Sequence, residues 1–445
     1  MTILLIIPPS KRRFHDSDIS LCFGYLAPIL KKEGYNVKTI YLYSASNKQI
    51  KKIITKESPK VVGIRCLTNE RIGTIRLVKL IKKINKKIRI VLGGPHATVM
   101  YKQLLSNLPV DYIVIGEGEI SFRNLVKAIY HKKSTLNIKG IAYKKNKRII
   151  KTKAQKPISD LDSLPFPEYN LNKDPNETVW ISSSRGCMYN CGFCTANNIW
   201  GQSYRSKSVR RVIDEIEYYV NKHGKKYFGF CDDTFTYDKE RTIDICKEIL
   251  KRKLNIGWSV GTRVDCVNAH ILYWMSKAGC KRIDFGMESG SKIIRKNMNK
   301  IFENKDIISA FELTRKFGIR TIAYMILGYK GETIRSIIES IKVYNQIRPD
   351  TIITCPARLY PGSGLYNEAK KQGLITDDYW LNSKDAPIYT GSISLFNLLG
   401  ITILVTSYFE LKKGIIHYLK YLWDYIYYGA IKKKYFRENL YTLEK

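Results

Sequence analysis

The sequence predicts an α/β protein in three parts: an N-terminal doubly wound, Rossmann-like parallel sheet, a partial (β/α)6 TIM-like barrel, and a helical C-terminal region. Two observations carry this. Short apolar runs alternate with amphipathic ones in two separate series, the pattern of βα units and so of parallel sheets. Between the series lies DLDSLPFPEYNL, whose two prolines mark an extended linker. The expected division is 1–135 for the first sheet, 136–175 for a hairpin and linker, 176–365 for the barrel and 366–445 for the helical remainder.

In the first series, TILLIIPP (2–9) reads as a strand and LCFGYLAPILKKEGY (21–35) as a helix closing near Gly34. Strands follow at 37–44, 61–67, 89–94 and 111–116, with helices near 47–57, 75–85 and 121–130. Ligands of such sheets sit beyond the carboxyl ends of the strands. Two of those ends carry glycine, Gly93-Gly94-Pro95-His96 and Gly116-Glu117-Gly118-Glu119. Glycine there lets a bulky ligand approach the backbone. IKGIAYKKNKRIIK reads as a small hairpin. The second series has strands at 178–184, 227–233, 256–263, 280–289, 319–328 and 350–362. Helices at 209–222, 239–253, 268–278, 303–317 and 333–347 join them, and the chemistry of such barrels gathers at the C-terminal strand ends. Residues 393–409 are uncharged and apolar but interrupted by Gly400, which fits a buried or surface-lying helix better than a membrane span.

Lys and Arg outnumber Asp and Glu 76 to 39. They are spread along the whole chain, as a compositional bias would spread them, although such a charge also suits an anionic partner. The ten cysteines form no disulfide framework, and the apolar start lacks a basic leader, so the expected setting is the reducing cytoplasm. Three cysteines stand apart: SRGCMYNCGFC places Cys187, Cys191 and Cys194 in C-x3-C-x2-C spacing directly after the first barrel strand. No second Cys pair or nearby His completes a zinc set. Three thiolates on one loop suit an iron–sulfur cubane with one iron left open.

With this spacing and position, the chain resembles the radical S-adenosylmethionine (SAM) superfamily, Cys187, Cys191 and Cys194 matching its motif and Phe193 preceding the last cysteine. The resemblance implies a 4Fe-4S cluster whose open iron takes SAM and cleaves it to methionine and a 5′-deoxyadenosyl radical. It also implies SAM contacts at successive strand ends: Asp232 and Asp233, Arg263, Glu288 with Ser289, and Gly328. The first sheet with GGPHAT and GEGE adds a likeness to the cobalamin-dependent members. In these, Gly93, Gly94, Pro95, His96, Gly116, Glu117 and Gly118 would touch cobalamin. The cobalt-ligating D-x-H-x-x-G of many cobalamin domains is absent, since His15 and Asp16 are in the wrong order. A cobalt without a lower histidine ligand is therefore expected.

The function implied is methylation of an unactivated carbon. Cobalamin-dependent ring closure, oxidation or carbon–carbon coupling is the alternative within the same family. Methylthiolation of tRNA would need three N-terminal cysteines for a second cluster, and only Cys22 and Cys66 are there, so nucleic acid is not an expected partner. A non-catalytic cofactor-binding sensor is the remaining alternative. The aromatic, basic tail points to a small-molecule, apolar or lipid-like substrate and to a cytoplasmic enzyme peripheral to a membrane. A flavodoxin or ferredoxin would supply electrons. Cys355, in the sixth barrel strand, reads as a small core residue.

Overall fold

Seven strands make the first sheet: β1 (Thr2–Ile7), β2 (Asn36–Tyr41), β3 (Val61–Arg65), β4 (Arg89–Gly93), β5 (Tyr112–Val114), β6 (Ile141–Lys145) and β7 (Arg148–Lys151). This is a computed structural model; it describes residues 2–10, 21–171, 173–382, 385–412, 414–415 and 418–419. His15, Asp16 and most of the region after 412 lie outside the described residues. The strand order is β2-β1-β3-β4-β5-β6-β7. β1 through β5 run parallel, and the hairpin β6–β7 adds antiparallel to β5. The predicted hairpin is therefore part of the first sheet. β1, β3 and β4 are almost wholly buried, which is why they read as unbroken apolar runs. The crossovers are α1 (Leu21–Lys32), α2 (Asn47–Glu57) and α3 (Arg71–Ile84), then the short α4 (Pro95–Val99) and α5 (Tyr101–Asn107), then α6 (Gly118–Tyr130).

The second sheet is β8 (Thr178–Ile181), β11 (Tyr227–Phe230), β12 (Gly257–Thr262), β13 (Cys280–Glu288), β14 (Arg320–Leu327) and β15 (Thr351–Pro356), all parallel and in chain order. Two short strands, β9 (Ser184–Arg185) and β10 (Arg205–Ser206), pair antiparallel and frame the cysteine loop. Its helices are α7 (Asn197–Trp200), α8 (Val209–His223), α9 (Lys239–Lys251), α10 (Ala269–Lys277), α11 (Lys292–Asn297), α12 (Asn304–Lys316) and α13 (Ile334–Ile347). Beyond the sheet come α14 (Gly364–Lys371) and α15 (Leu395–Lys412). α15 takes the place of a sixth outer helix: Leu398, Val405 and Phe409 are buried in the core that the second sheet shares with its helices. Caps set the helix starts that the sequence predicts. Ser208 accepts from Arg211 N, Asp238 from Arg241 N, and Thr333 from Ser336 N.

The two sheets are joined in two ways. After β15 the chain crosses back to the first sheet. The guanidinium of Arg71 donates to the Trp380 carbonyl at 3.0 Å and the Thr68 carbonyl at 2.7 Å. Trp380, fully buried, donates through Nε1 to Tyr366 Oη at 2.9 Å. One apolar cluster accordingly runs from Leu4, Ile64 and Leu92 through Ile326 and Tyr329 to Trp380. The second tie is ionic. Arg185, beside the cysteines, reaches Glu117 at 3.1 Å and Glu119 at 2.6 Å, both just beyond β5. Arg205 also pairs with Glu117. All four side chains are largely shielded from water.

Taking charges out of water is costly, and removing one partner of a buried pair strands the others. Arg185→Ala is expected to lower stability by about 3–5 kcal/mol, read from urea unfolding. Glu117→Gln/Glu119→Gln placed on top should restore part of that loss.

Candidate active site

Gly186 opens the cysteine loop at φ +92°, and a Cβ there would lie 2.0 Å from the Ser203 carbonyl, so only glycine fits. The loop is held from outside at several points. Gly192 N donates to Met298 O at 3.0 Å, Gly192 O accepts from Leu365 N at 2.8 Å, and Asn299 Nδ2 donates to Asn190 O at 3.1 Å. Among the described residues, no three His, Cys, Asp or Glu side chains converge on a single ion. Thiols that each serve a different iron of one cluster need no such convergence, so its absence does not count against the expected cubane. Burial raises the Cys191 and Cys194 thiols above their usual range. Lys300 and Arg263 oppose this at Cys191, and the Ala196 amide, 3.4 Å from the sulfur, opposes it at Cys194.

Cys194 also lines a cavity of about 650 Å³ between the carboxyl ends of the two sheets. From the first sheet come Gly63 to Arg65 of β3, Gly93-Gly94-Pro95 and Gly116 to Glu119. β1 has β2 on one side and β3 on the other, so this is the switch point where doubly wound sheets take their ligands. Gly93 has no heavy atom within 4 Å of a notional Cβ, and Gly94 and Gly116 hold φ of +99° and +75°. The opposite wall is Cys194 to Ala196, Ile199 and Trp200, with Cys231 and Asp233 from the second sheet. A mainly apolar cleft floored by glycine backbone and facing the cysteine loop fits a large flat group such as cobalamin.

The predicted contacts divide. Gly93, Gly94, Pro95, Gly116 and Gly118 line the cavity. Glu117 lines it too, but its carboxylate is taken by Arg185, Arg205 and the Ile158 amide. His96 does not line it. Its ring lies behind the strand end, Nδ1 3.2 Å from Thr68 Oγ1 and its edge toward Trp380, and burial pushes its pKa down to about 3. Asp232 is consumed as well: it accepts from Ser183 N at 2.8 Å and from the Ser183 and Ser184 hydroxyls, fixing the end of β8. Asp233 is the carboxyl that faces the cavity, and burial beside Asp232 pushes it up to about 6.

Arg263 binds Asp265 through Nε at 2.9 Å and Nη2 at 2.7 Å and lies 3.7 Å above the Tyr189 ring of the loop. Its buried Nη1 has no hydrogen-bond partner among the described residues. A buried donor of this kind beside the cysteines fits a ligand carboxylate. Glu288 sits at φ +64°, where the register with β14 slips. Lys300 binds both the Glu288 carboxylate at 2.9 Å and the Gly286 carbonyl at 2.6 Å, and its cation lies 5.7 Å from the Phe193 ring centre. A Cβ on Gly286 would come within 3 Å of Glu288 Oε1 and Lys300 Nζ, so glycine leaves room for this pair. Ser289 is committed to Ser340 and the Ser291 amide. Gly328, at φ +77°, would strike Leu398 of α15 if it carried a Cβ. Cys355 is half-buried near Glu288, which helps burial push its thiol up to about 11.

Sequence reasoning missed Arg185 and Lys300. Arg185 could have been weighed as a charge directly before the loop. Nothing in NMNK distinguishes Lys300 from the other lysines.

Family models match in two places: the Radical SAM superfamily at 181–343 and the B12 binding domain at 19–126. An uncharacterized methyltransferase of Pyrococcus horikoshii is 32% identical over 393 residues, 85% of either chain. The anaerobic magnesium-protoporphyrin IX monomethyl ester cyclase of Rubrivivax gelatinosus is 31% identical over 367 residues, 78% of this chain and 65% of the cyclase. Among solved structures, the radical SAM methyltransferase TsrM of Kitasatospora setae with cobalamin and a [4Fe-4S] cluster bound superposes with a TM-score of 0.72. That match has 17% identity and covers 83% of this chain and 75% of TsrM.

Two measurements probe this geometry. Lys300→Met leaves the Glu288 charge buried alone and should cost about 3–5 kcal/mol in urea unfolding, with Lys300→Met/Glu288→Gln regaining much of it. Glu332, buried after β14, has its pKa pushed up to about 7 by desolvation. Raised above the roughly 4.3 of an unfolded chain, it carries no penalty at low pH, a growing one as pH rises, and the full penalty above about 7. Wild-type stability relative to Glu332→Gln should therefore fall by up to about 3 kcal/mol between pH 4.5 and 7.5 and then level off, as melting curves will show.

Proposed function

The chain belongs to the radical SAM superfamily and carries a B12-binding domain, and from this we propose that it methylates an unactivated carbon of an apolar or lipid-like small molecule. The single observation that carries the reading is the shared cavity: the third cysteine of the loop and the glycine-floored strand ends of the first sheet line one space. In this reading residues 1–135 hold cobalamin, 136–175 supply the hairpin that extends the first sheet and the linker, 176–365 hold the cluster and SAM, and 366–445 complete the enzyme. When bound, the cluster and SAM supply a 5′-deoxyadenosyl radical and cobalamin supplies a methyl group.

The chain's own residues bind, orient and exclude water. Cys187, Cys191 and Cys194 hold the cluster, and the loop's backbone ties to Met298 and Asn299, just after α11, and to Leu365 of α14 hold the loop in place. Arg263 offers its unbonded Nη1 to the SAM carboxylate. In this reading Glu288, held by Lys300, and Asp233, on the cavity wall, serve the amino and ribose groups. Gly93, Gly94, Gly116 and Gly118 let a corrin lie against backbone, and Ile199 and Trp200 close the cleft against water. A protein electron donor such as a flavodoxin or ferredoxin would reduce the cluster. The setting is the cytoplasm, peripheral to a membrane where apolar substrates are found.

The likeness to the cyclase favours a second reading, radical ring closure at the same site. Protein reconstituted anaerobically with iron, sulfide and cobalamin, then given SAM and dithionite, is expected to form 5′-deoxyadenosine, and Cys194→Ala to lose both iron and that product. An intact cluster that forms none would overturn the proposal. Methyl-labelled SAM separates the readings: label in the product marks methylation, and an unlabelled cyclised product marks the alternative.

A further inference from the structure

α13 and α15 lie side by side on the outside of the second sheet. Gly331 N, just before α13, donates to Ser392 Oγ, just before α15, at 2.9 Å, and their far ends also meet, so the two helices run in the same direction. Asn345 of α13 meets Tyr408 of α15 at 2.9 Å and Lys412 at 2.8 Å, and the Tyr344 and Phe409 rings are 5.7 Å apart. Counting back from this contact by helical turns, Ile341, Ile338 and Ile334 fall on the same face of α13 as Asn345. Ile334 and Ile338 are exposed.

On α15 the inner face is satisfied by Leu398, Val405 and Phe409, and by Thr406 bonded to Thr354 of β15. The outer face is not what a solvated helix presents. Phe396 is 87% exposed and Leu404 70%, and Ile403 and Leu411 are also exposed. No charged residue occurs anywhere in 386–409. α15 is long and apolar enough to cross a membrane, yet one side of it packs on protein and it is continuous with the fold. With its inner side packed on protein, α15 leaves its outer apolar face for contact with another surface.

Cations rim this face. Lys342 and Lys412 are exposed, and Arg335, 92% exposed at its side chain, pairs with Glu339 at 3.6 Å on the same helix. The sequence then turns basic and aromatic: residues 412–445 hold eight Lys or Arg against three Asp or Glu, with nine Tyr, Trp or Phe. Aromatic and basic residues beside an apolar helix match the headgroup layer of a membrane. An apolar protein partner would not call for the cations.

We propose that the paired outer faces of α13 and α15 seat the enzyme on an anionic lipid bilayer, with Phe396 and Leu404 entering the acyl boundary. This specifies the membrane association of the proposed function and is independent of the reaction.

The test is sedimentation of the full chain with vesicles of phosphatidylcholine alone or with about 30 mol% phosphatidylglycerol. Expected is binding to the anionic vesicles, weakened by high salt and reduced at least about tenfold in Phe396→Asp/Leu404→Asp. The variant's melting temperature and 5′-deoxyadenosine yield without vesicles report folding and chemistry separately, so a failed reaction is not read as failed docking. Lys342→Glu/Lys412→Glu, which keeps the apolar face, should lose only the preference for anionic lipid. Absent binding by the wild type, equal binding to both vesicles, or binding untouched by either variant would overturn the proposal. So would a wild-type dimer in sedimentation velocity that Phe396→Asp/Leu404→Asp dissolves, because a second copy would then cover the face.

Discussion

The site depends on a buried guanidinium. Arg185 sits between the end of β8 and the first cysteine, and its two carboxylate partners stand at the end of β5 in the other sheet. Its position is further confined by the rings of Tyr25 and Trp200, each within 5.5 Å of its charge. A planar fork fits two carboxylates at once and resists rotation, which a lysine would not. The distance between the glycine floor and the cysteine loop is thereby tied to the fold of both halves. Such a pair adds little net stability compared with apolar packing, but its geometry admits few alternatives.

Around the cysteines the fold collects opposite charges at short range. Arg263 and Lys300 lie near Cys191, and each is answered by a carboxylate, Asp265 and Glu288. The cations ease the presence of thiolates in a buried loop, while their partners stop them from collapsing onto the sulfurs. The bulge at Gly286 to Glu288 gives this arrangement its direction, since a regular strand would point Glu288 elsewhere.

Much of this was legible in the sequence. Period and glycine placement gave both strand series in the right order, and the spacing of three cysteines located the loop. What was not legible depended on partners remote in sequence. Asp232 and Asp233 are indistinguishable as letters; the hydroxyls of Ser183 and Ser184, about 50 positions earlier, claim one and leave the other to the cavity. His96 looked like a ligand contact because it follows two glycines, but Trp380 covers its ring. Lys300 acts only because a bulged strand passes beneath it.

The return of the chain to the first sheet has a consequence for how the protein is made. Arg71 and Trp380 are 309 positions apart. At ribosomal speeds of roughly 5–20 residues per second, the first sheet waits on the order of 15–60 s for the segment that covers Arg71 and His96. Through that interval its parallel strands can pair, but the groove beside α3 and α4 stays open to water. Closure of that groove is thus among the last events in the making of the fold, whereas every residue that lines the cavity, from Leu5 to Asp233, has emerged well before it.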